Sequence, residues 1–397
     1  MASFTTRFLG CKVSFTDAQA IRERLLADGH VAATDGGDVA VVNTCCVTHE
    51  AVSKSRQAVS RAARTHRRVF VTGCAARLEG AFAGATPNVT VVARPSEETP
   101  AAIAGDVGAI GCVEHGARLE RTRAFVKIQD GCSFSCAFCV IPLVRGGTRS
   151  RRASAVLEEI RRRAAQGHRE IVLTGVNLGC FRDREAGFTL ARLVREAGSV
   201  PGVERLRLSS IEVNHVTDEL VAALRETPSV AAHLHVPLQS GDDAVLRAMH
   251  RRYTAAQFFA KLEPLADFNL TSDVIVGFPA EDDRAFRRTL DVVEQAGMTK
   301  VHVFPYSPRP GTATAAADTV PAPVKKERGA RLRALSHELC RRRWQAKLGT
   351  TDRVLVDRPG RGYADDYTPW LLDAELGELV DARAIGLSEE GILAVAA

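Results

Sequence analysis

Long apolar runs and a secretory signal are both missing from this 397-residue sequence. No hydrophobic stretch approaches the ~20 residues that a helix needs to cross a bilayer. The first residues, MASFTTRFLG, lack the basic and then apolar pattern of an export signal. We therefore expect a cytoplasmic protein with no membrane segment, whose ten cysteines are ligands or free thiols before they are disulfides.

A fourth metal ligand is missing from the densest cysteine motif. Cys132, Cys136 and Cys139 read C-x3-C-x2-C, while His115 and His168 are far away in sequence. Structural zinc sites normally pair two C-x2-C arms, or one such arm with two histidines, so zinc is the less favoured alternative. A cubic iron–sulfur cluster takes one thiolate per iron, and three cysteines leave one iron open. An open metal position accepts a substrate or cofactor, which indicates a catalytic cluster.

Three further cysteines occupy equivalent places in the first part of the chain. Cys11, Cys45 and Cys74 each follow a predicted strand, at Ser3–Phe8, Val39–Val42 and Val69–Val71. Helical patterns over Asp17–Asp28 and Ala51–Thr65 alternate with these strands, which predicts an open parallel α/β sheet. Ligands gather at the carboxyl ends of such strands, so the three thiols are candidates for a second cluster. The alternative is that they are ordinary buried cysteines.

Six strand and helix repeats follow between residues 123 and 308. The predicted strands are Ala124–Ile128, Ile171–Leu173, Arg205–Leu208, Leu234–Pro237, Asp273–Val276 and Val301–Phe304. Six repeats are two short of a closed eight-fold barrel, and active sites of such barrels lie at the carboxyl ends of the strands. Asn177, Glu212 and Gln239 follow three of these strands and are candidate binding residues. Turn-forming roles are the alternative for such residues.

The cysteine motifs resemble those of a known enzyme family. The stretch RTRAFVKIQDGCSFSCAFCVIPLVRGGTRSR resembles the methylthiotransferase branch of the radical S-adenosylmethionine (SAM) enzymes, and FLGCK, VVNTCCVT and VTGCAA resemble the three motifs of its amino-terminal domain. The resemblance implies two [4Fe–4S] clusters, with Cys132, Cys136 and Cys139 holding the radical-generating one. It implies that Cys11, Cys45 and Cys74 hold an auxiliary one. Cys46 stands where relatives carry Thr, so it is not expected to be a ligand.

The resemblance also implies a fold and a domain order. Residues 1–93 are expected to form an open α/β sheet domain, 123–348 a radical SAM partial (β/α)6 barrel, and 349–397 a small TRAM-like β-barrel. Residues 94–122, which are poor in pattern and contain Pro95, Pro100 and several glycines, are predicted to be a linker. In this fold Asn177, Glu212 and Gln239 are expected to bind SAM. Residues 352–397 carry ten acidic and four basic residues, a net charge of −6 that is poorly suited to gripping phosphates.

The implied reaction is methylthiolation of an unreactive C–H position, driven by a SAM-derived 5'-deoxyadenosyl radical. Lys12 and the segment Asn43–Thr48 look most like the branch that acts on N6-threonylcarbamoyladenosine next to the tRNA anticodon. Isopentenyladenosine tRNA and a ribosomal-protein aspartate are the alternative substrates. An iron–sulfur protein that binds RNA or carries electrons without radical chemistry is the alternative from another class. The expected partners are tRNA and a reductant such as flavodoxin or ferredoxin, and the protein is expected to be a monomer.

Overall fold

The computed structural model describes residues 2–108 and 122–397, so Cys112 and the end of the predicted linker lie outside the described residues. The described residues form two compact units. The N-terminal unit takes its residues from Met1–Arg118, Asp130–Thr148 and Ser307–Ala313. The C-terminal unit takes its residues from Leu119–Gln129, Arg149–Tyr306 and Thr314–Ala397. No helix within the described residues has both the length and the apolar character of a membrane span.

The N-terminal unit is built on a five-stranded parallel sheet with the order β2-β1-β3-β4-β5. Its strands are β1 (Ser3–Phe8), β2 (Val31–Ala32), β3 (Gly37–Thr44), β4 (His66–Gly73) and β5 (Val89–Val91). Its helices are α1 (Lys12–Ala27), α2 (His49–Thr65), α3 (Thr99–Val107) and α4 (Ile141–Arg145). The central strand β3 is buried from Val39 to Thr44, as a parallel strand covered on both faces must be.

Two local features of this unit differ from the sequence prediction. Helix α1 begins at Lys12, directly after Cys11, and not at Asp17. Helix α3 lies inside the stretch that was predicted to be a linker, and its Ile103 and Ala104 are buried in the same apolar cluster as Ile21 of α1. Helix α3 is short and its apolar residues are mostly alanines, so its pattern in the sequence is weak. Burial against a neighbouring helix stabilises it.

The C-terminal unit contains six parallel strands in sequential order. They are β6 (Arg123–Asp130), β8 (Glu170–Gly175), β11 (Arg205–Leu208), β12 (His233–His235), β13 (Asn269–Val276) and β14 (Lys300–Pro305). Two hydrogen-bonded sheets, β11-β8-β6-β7 and β12-β13-β14, are joined by parallel bridges from Leu206 to Val230 and from Ser210 to His235. Short strands β7 (Arg149–Ser150), β9 (Arg182–Asp183) and β10 (Phe188–Thr189) flank them. The predicted partial (β/α)6 barrel is confirmed.

The helices that the structure describes in the C-terminal unit lie between or after these strands. They are α5 (Ala153–Ala165), α6 (Leu190–Gly198), α7 (Asp218–Glu226), α8 (Asp243–Ala248), α9 (Ala255–Leu262), α10 (Asp283–Gln295) and α11 (Ala322–Ala346). The long α11 carries the arginine-rich sequence, but Arg328 is buried, with Nη1 2.7 Å from Glu281 Oε1 and Nη2 2.7 Å from Asp283 Oδ1. Part of this basic stretch therefore stabilises the fold rather than facing solvent.

The chain ends in the predicted small β-barrel, which is closed in the order β15-β16-β17-β19-β18. Its strands are β15 (Thr351–Arg358), β16 (Arg361–Tyr363), β17 (Pro369–Leu371), β18 (Leu379–Leu387) and β19 (Ile392–Ala396). Several acidic residues of this small barrel form ion pairs. Asp357 Oδ2 lies 2.6 Å from Arg123 Nη2, and Asp366 Oδ2 lies 2.9 Å from Arg343 Nε. Much of the negative charge noticed in the sequence thus neutralises arginines of the same unit.

A cluster of three buried charged residues connects the small β-barrel to strands β8 and β11 of the partial (β/α)6 barrel. Arg205 and Arg207 are both 2% exposed and bind the carboxylate of Glu170, which is 1% exposed. Arg205 also donates to the carbonyl oxygens of Tyr363 and Arg353, at 2.9 and 2.6 Å. Charges at this depth are stable only when they are paired and hydrogen-bonded, and here both conditions are met.

Candidate metal centres

The three cysteines of the N-terminal sheet lie where neighbouring parallel strands end. Cys11 follows β1 and forms the N-cap of α1, Cys45 follows β3, and Cys74 follows β4. These strands are adjacent, with the order β1-β3-β4. The Cys74 N–H donates to the carbonyl oxygen of Thr44 at 3.0 Å, which ties the two strand ends together. The sequence prediction placed the three thiols at one edge of the sheet, and this geometry brings them there.

A glycine permits the close approach of the first and second cysteines. Gly10 has φ +123°, and an added Cβ would lie 3.3 Å from Cys45 Sγ and 3.0 Å from Ser14 Oγ. Any larger residue at this position would strain the turn and crowd the thiol. Nearby charge on Cys11 and Cys74 acts on Cys45, and burial, the largest cause, raises the pKa of the Cys45 thiol to about 11.

Cys46 and Cys74 lie in the same buried cluster of the N-terminal unit. Interaction with the Cys46 thiol is the largest cause that lowers the pKa of Cys74, to about 6, although burial opposes the shift. The sequence analysis expected only that Cys46 is not a ligand. The structure adds that Cys46 neighbours a proposed ligand and favours the thiolate form of Cys74.

Arg145 is the strongest feature of this site that the sequence reasoning missed. Its guanidinium is 5% exposed, and its Nε donates to Cys74 Sγ at 3.1 Å. Its Nη2 lies 2.8 Å from Asp17 Oδ2, and its Nη1 lies 2.9 Å from Asp130 Oδ1. Burial would lower the pKa of Arg145, but the charges on Cys74 and the two aspartates raise it well above the ordinary value. One cation thus fixes two carboxylates and one thiolate.

This arrangement suits thiolate ligation of iron. Ligand cysteines must lose their protons, and the surroundings of Cys74 already favour the deprotonated form. Hydrogen bonds from neighbouring groups to ligand sulfurs also tune the potential of a cluster. In the described part of the chain, Cys11, Cys45 and Cys74 are free thiols with no disulfide partner. The residues present therefore fit an iron–sulfur cluster.

The loop with the second cysteine set is held by backbone contacts to residues 146–148. The Cys132 N–H donates to the Gly146 carbonyl at 3.0 Å. Ser133 and Thr148 exchange two hydrogen bonds, at 3.1 and 3.0 Å. Gly131 has φ +68°, and a Cβ there would come within 2.1 Å of the Gly147 carbonyl oxygen. These contacts hold the loop through its backbone and through the side chains of Ser133 and Thr148.

The side chains of Cys132, Cys136 and Cys139 are all partly exposed. The N–H of Phe134 lies 3.5 Å from Cys132 Sγ, so a backbone donor already faces this sulfur. Phe134 and Phe138 are half-buried between the ligands. Partly exposed thiols on a fixed loop can accept a cluster and still leave one side open to a small molecule, which fits the expected open iron.

The C-terminal unit offers polar groups at the carboxyl ends of its strands. Among the described residues, Thr174 Oγ1, Asn177 Oδ1 and Ser209 Oγ are buried and have no hydrogen-bond partner. Thr174 is in β8, while Ser209 directly follows β11, its neighbour in the sheet. A buried polar atom without a partner costs about 1–3 kcal/mol, so a ligand that supplies partners would bind favourably. These groups fit a polar cofactor such as SAM.

The two other predicted SAM residues have different surroundings. Glu212 is buried and accepts from Arg251 Nη2 at 3.3 Å and from the Asn214 N–H at 3.0 Å. Burial raises the pKa of Glu212, while the Arg251 charge opposes the shift. Gln239 is half-buried with φ +66°, which is unusual for a residue other than glycine. Its backbone pairs with β13, since its N–H donates to the Asp273 carbonyl at 2.8 Å. Such a strained backbone is often found at ligand sites.

Comparison with known proteins agrees with this fold and these sites. A family model described as the radical SAM superfamily matches residues 126–293, and one described as the uncharacterized protein family UPF0004 matches residues 3–93. The cobalamin-binding radical SAM methyltransferase TsrM of Kitasatospora setae has a similar structure, with a TM-score of 0.56 at 15% identity, over 79% of this chain and 77% of that one. The fold and the C-x3-C-x2-C loop thus define a radical SAM enzyme, whose cofactors are an iron–sulfur cluster and SAM.

Relatives with higher identity define the family more narrowly. The threonylcarbamoyladenosine tRNA methylthiotransferase MtaB of Thermotoga maritima is 34% identical, over 97% of this chain and 94% of its own length. A tRNA-2-methylthio-N(6)-dimethylallyladenosine synthase of Bifidobacterium longum subsp. infantis is also 34% identical, over 85% of this chain and 76% of its own length. The chain therefore belongs to the radical SAM methylthiotransferase family.

Proposed function

We propose that this enzyme adds a methylthio group to C2 of N6-threonylcarbamoyladenosine next to the anticodon of tRNA, in the cytoplasm. The observation that carries the proposal is the 34% identity to the MtaB relative over nearly the full length of both chains. The motif after β1, where Lys12 follows Cys11, supports the same substrate. We also propose that the enzyme acts as a monomer with flavodoxin or ferredoxin as reductant.

We propose two [4Fe–4S] clusters in separate roles. Cys132, Cys136 and Cys139 hold the one that binds SAM, and the chemistry it supplies when loaded is reductive cleavage of SAM to a 5'-deoxyadenosyl radical. Cys11, Cys45 and Cys74 hold the auxiliary one, which keeps the sulfur that is to be donated. The chain's own contribution at the auxiliary site is to hold Cys74 as a thiolate through Arg145 and Cys46, and to fix the turn at Gly10.

The SAM site is proposed at the strand ends of the C-terminal unit. Asn177, Glu212 and Gln239 remain its predicted residues, and Thr174 and Ser209 join them because their buried hydroxyls lack partners within the described residues. Hydroxyl and amide groups at such positions orient the ribose and methionyl parts of SAM by hydrogen bonds. The carboxylate of Glu212 is held in place by Arg251 and Asn214, so it presents a fixed acceptor.

Mass spectrometry of tRNA nucleosides tests the substrate. Cells lacking the protein are compared with cells that regain it or regain a Cys132→Ser variant. We expect 2-methylthio-N6-threonylcarbamoyladenosine only with the intact protein. Because a dimethylallyladenosine synthase has the same 34% identity over a smaller share of both chains, isopentenyladenosine and the ribosomal-protein aspartate are measured in the same cells. Methylthiolation of either one alone would contradict the proposed substrate.

The alternative function, an iron–sulfur protein without radical chemistry, needs a separate experiment. Purified protein is incubated without oxygen with SAM and dithionite, and 5'-deoxyadenosine is measured. An iron–sulfur protein that only binds RNA or carries electrons would release none. Release by the intact protein, and none by the Cys132→Ser variant, supports the enzyme.

A further inference from the structure

Three side chains that the reaction above does not use meet on adjacent strands of the C-terminal unit. His235 ends β12, Asp273 lies in β13 and His302 lies in β14. One nitrogen or carboxylate oxygen from each lies within 4.8 Å of the others. His235 Nε2 is 3.2 Å from Asp273 Oδ2, and the two imidazole ring centroids are 5.6 Å apart.

The strand register explains this meeting. Asp273 and His302 are directly paired in the β13–β14 ladder, while His235 pairs with Thr271, two residues before Asp273. Side chains alternate between the two faces of a strand. Within each strand the adjacent residues Leu234, Val274 and Val301 are buried in the large apolar cluster. The two histidines and the aspartate therefore lie on the opposite face of the sheet.

A threonine orients the His235 ring. Thr271 Oγ1 lies 3.0 Å from His235 Nδ1 and 3.0 Å from His233 Nε2. A hydroxyl has one proton, so it donates to one imidazole and accepts from the other. When His235 donates from Nδ1, its Nε2 presents a lone pair toward the Asp273 carboxylate. Two acceptors at 3.2 Å repel each other, and a cation between them removes the repulsion.

We propose that His235, Asp273 and His302 bind one divalent transition-metal ion, such as Zn²⁺ or Fe²⁺. Two histidines and one carboxylate are a common ligand set for these ions, and a ligating histidine usually donates its other N–H to a neighbour. Thr271 Oγ1, 3.0 Å from His235 Nδ1, is in position to accept such a bond. Ligand bonds of about 2.0–2.2 Å place ligand atoms roughly 3.0–3.5 Å apart. The distance of 3.2 Å between His235 Nε2 and Asp273 Oδ2 matches this, and all three ligand atoms lie within 4.8 Å of one another.

The proposed ion is chemically distinct from the cysteine-held iron. Its three ligands are nitrogen and oxygen donors, so no sulfur is bound to it. Three protein ligands leave coordination positions for water or for an oxygen of an anionic ligand. Asp273 is 26% exposed and His302 is exposed, so a small ligand can reach the ion. This site does not depend on the assignment of the clusters or of the nucleoside substrate.

Cobalt titration of the cluster-loaded enzyme tests the site. Co²⁺ is added without oxygen, bound metal is counted by mass spectrometry, and its absorption spectrum is recorded. We expect one Co²⁺ per chain beyond the clusters, with d–d bands but no sulfur-to-cobalt charge transfer. Asp273→Asn and His302→Gln should each weaken binding by roughly tenfold or more, because one ligand is lost.

His337→Gln is the matched control, since this exposed histidine lies on α11 and is unconnected with the three ligands. It should leave Co²⁺ affinity unchanged. The melting temperature of each variant shows whether the fold is intact, and His302 is exposed enough for its replacement to be tolerated. The proposal is overturned if no Co²⁺ binds beyond the clusters, if the spectrum shows sulfur ligation, or if Asp273→Asn and His302→Gln bind Co²⁺ as well as His337→Gln does.

Discussion

At the scale of single residues, Arg145 has the largest expected effect on the stability of the N-terminal unit and on the charge state of Cys74. It is the buried cation for two aspartates and a cysteine, and none of these groups is close to it in sequence except Asp130. A buried charge that loses its partner destabilises a protein by much more than an exposed ion pair stabilises it. The residue therefore links the stability of the N-terminal unit to the state of Cys74.

Arg145→Leu is expected to lower the free energy of unfolding by roughly 3–5 kcal/mol, because Asp17 and Asp130 lose their buried cation. Urea denaturation of the protein measures the loss. Arg64→Leu on the exposed face of α2 is the matched control and should change stability by no more than about 0.5 kcal/mol. Equal effects of the two substitutions would show that the Arg145 network adds nothing to stability.

The two cysteine sets are expected to be separable. Replacing Cys11, Cys45 or Cys74 by Ala should remove roughly half of the reconstituted iron, since two similar clusters share it. These variants should still release 5'-deoxyadenosine from SAM. Iron analysis and nucleoside measurement check both statements. Full iron together with full methylthiolation in any one variant would remove that cysteine from the proposed ligands.

Cys46→Ala serves as the comparison for that series. It removes a thiol that neighbours Cys74 but no proposed ligand, so the iron content should stay close to that of the unchanged protein. The pKa of Cys74 should rise toward its ordinary value, because interaction with Cys46 is the largest cause of its lowering. Thiol alkylation of the iron-free protein against pH measures this rise.

At the scale of elements, the ends of parallel strands concentrate the polar groups. Thr174 lies in β8, Asn177 follows β8, and Ser209 follows β11. Sequence patterns predicted these strands because their apolar residues form continuous runs, as strands covered on both faces do. The sequence did not show which polar residues at the strand ends are buried without a partner, because that depends on the tertiary packing.

Thr174→Val should weaken SAM binding with little loss of stability. The change keeps the shape of the side chain and removes a hydroxyl that has no partner within the described residues. Loss of one hydrogen bond to a ligand corresponds to about a 3- to 10-fold weaker affinity. Isothermal titration of SAM measures it, with the exposed Thr351→Val as control. An unchanged SAM affinity would exclude Thr174 from the site.

Helix α2 and the start of β4 present exposed arginines. Arg61, Arg64 and Arg67 are exposed, whereas Arg68 donates to the Asp106 carbonyl at 2.8 Å. We expect replacement of the three exposed arginines by Gln to flatten the slope of log tRNA affinity against log salt, by roughly 0.7–0.9 for each lost phosphate contact. Filter binding at several salt concentrations measures the slope. Replacing the exposed Arg284 and Arg287 of α10 is the control and should leave it unchanged.

At the scale of the whole molecule, the small barrel is part of the C-terminal unit's structure. Its carbonyl oxygens accept hydrogen bonds from the buried Arg205 and Arg207. Deleting residues 352–397 would expose these groups and leave Glu170 as their only buried partner. The acidic composition of the barrel therefore gives no simple measure of repulsion from RNA, and a truncated chain is a poor test of RNA binding.

Glu170 should make the stability of the C-terminal unit depend on pH. Burial opposes ionisation, but Arg207 and Arg205 lower the pKa of Glu170 to about 2, from an ordinary 4.5. A lowered pKa contributes stability above about pH 4.5, and this contribution is lost as the pH falls toward 2. Near neutral pH, Glu170→Gln should lower the free energy of unfolding by roughly 3–5 kcal/mol. The difference in stability between the variant and the unchanged protein should become smaller as the pH falls. Thermal unfolding between about pH 7 and 3 measures both; a difference that does not change with pH would contradict the assigned cause.

The sequence by itself predicted the main parallel strands, and together with the family resemblance it predicted the six cysteine ligands that we propose. Continuous apolar runs identify parallel strands, and the cysteines lie within a single loop or directly after strands, so both patterns are short-range. The β1 strand and β11 were predicted with the bounds that the structure has. Helix α3 was not predicted, since its stability depends on packing against α1.

Only the tertiary structure decided which distant side chains meet. Arg145 reaches Asp17, 128 positions away, and His235, Asp273 and His302 come together through the register of three strands. Contacts at such separations leave no periodicity in the sequence, because each member is a single residue in an otherwise ordinary strand or helix. The pKa of Cys74, the pairing of Glu170 and the candidate ion site all arise from that folding, since burial and charge act through distance in space and not along the chain.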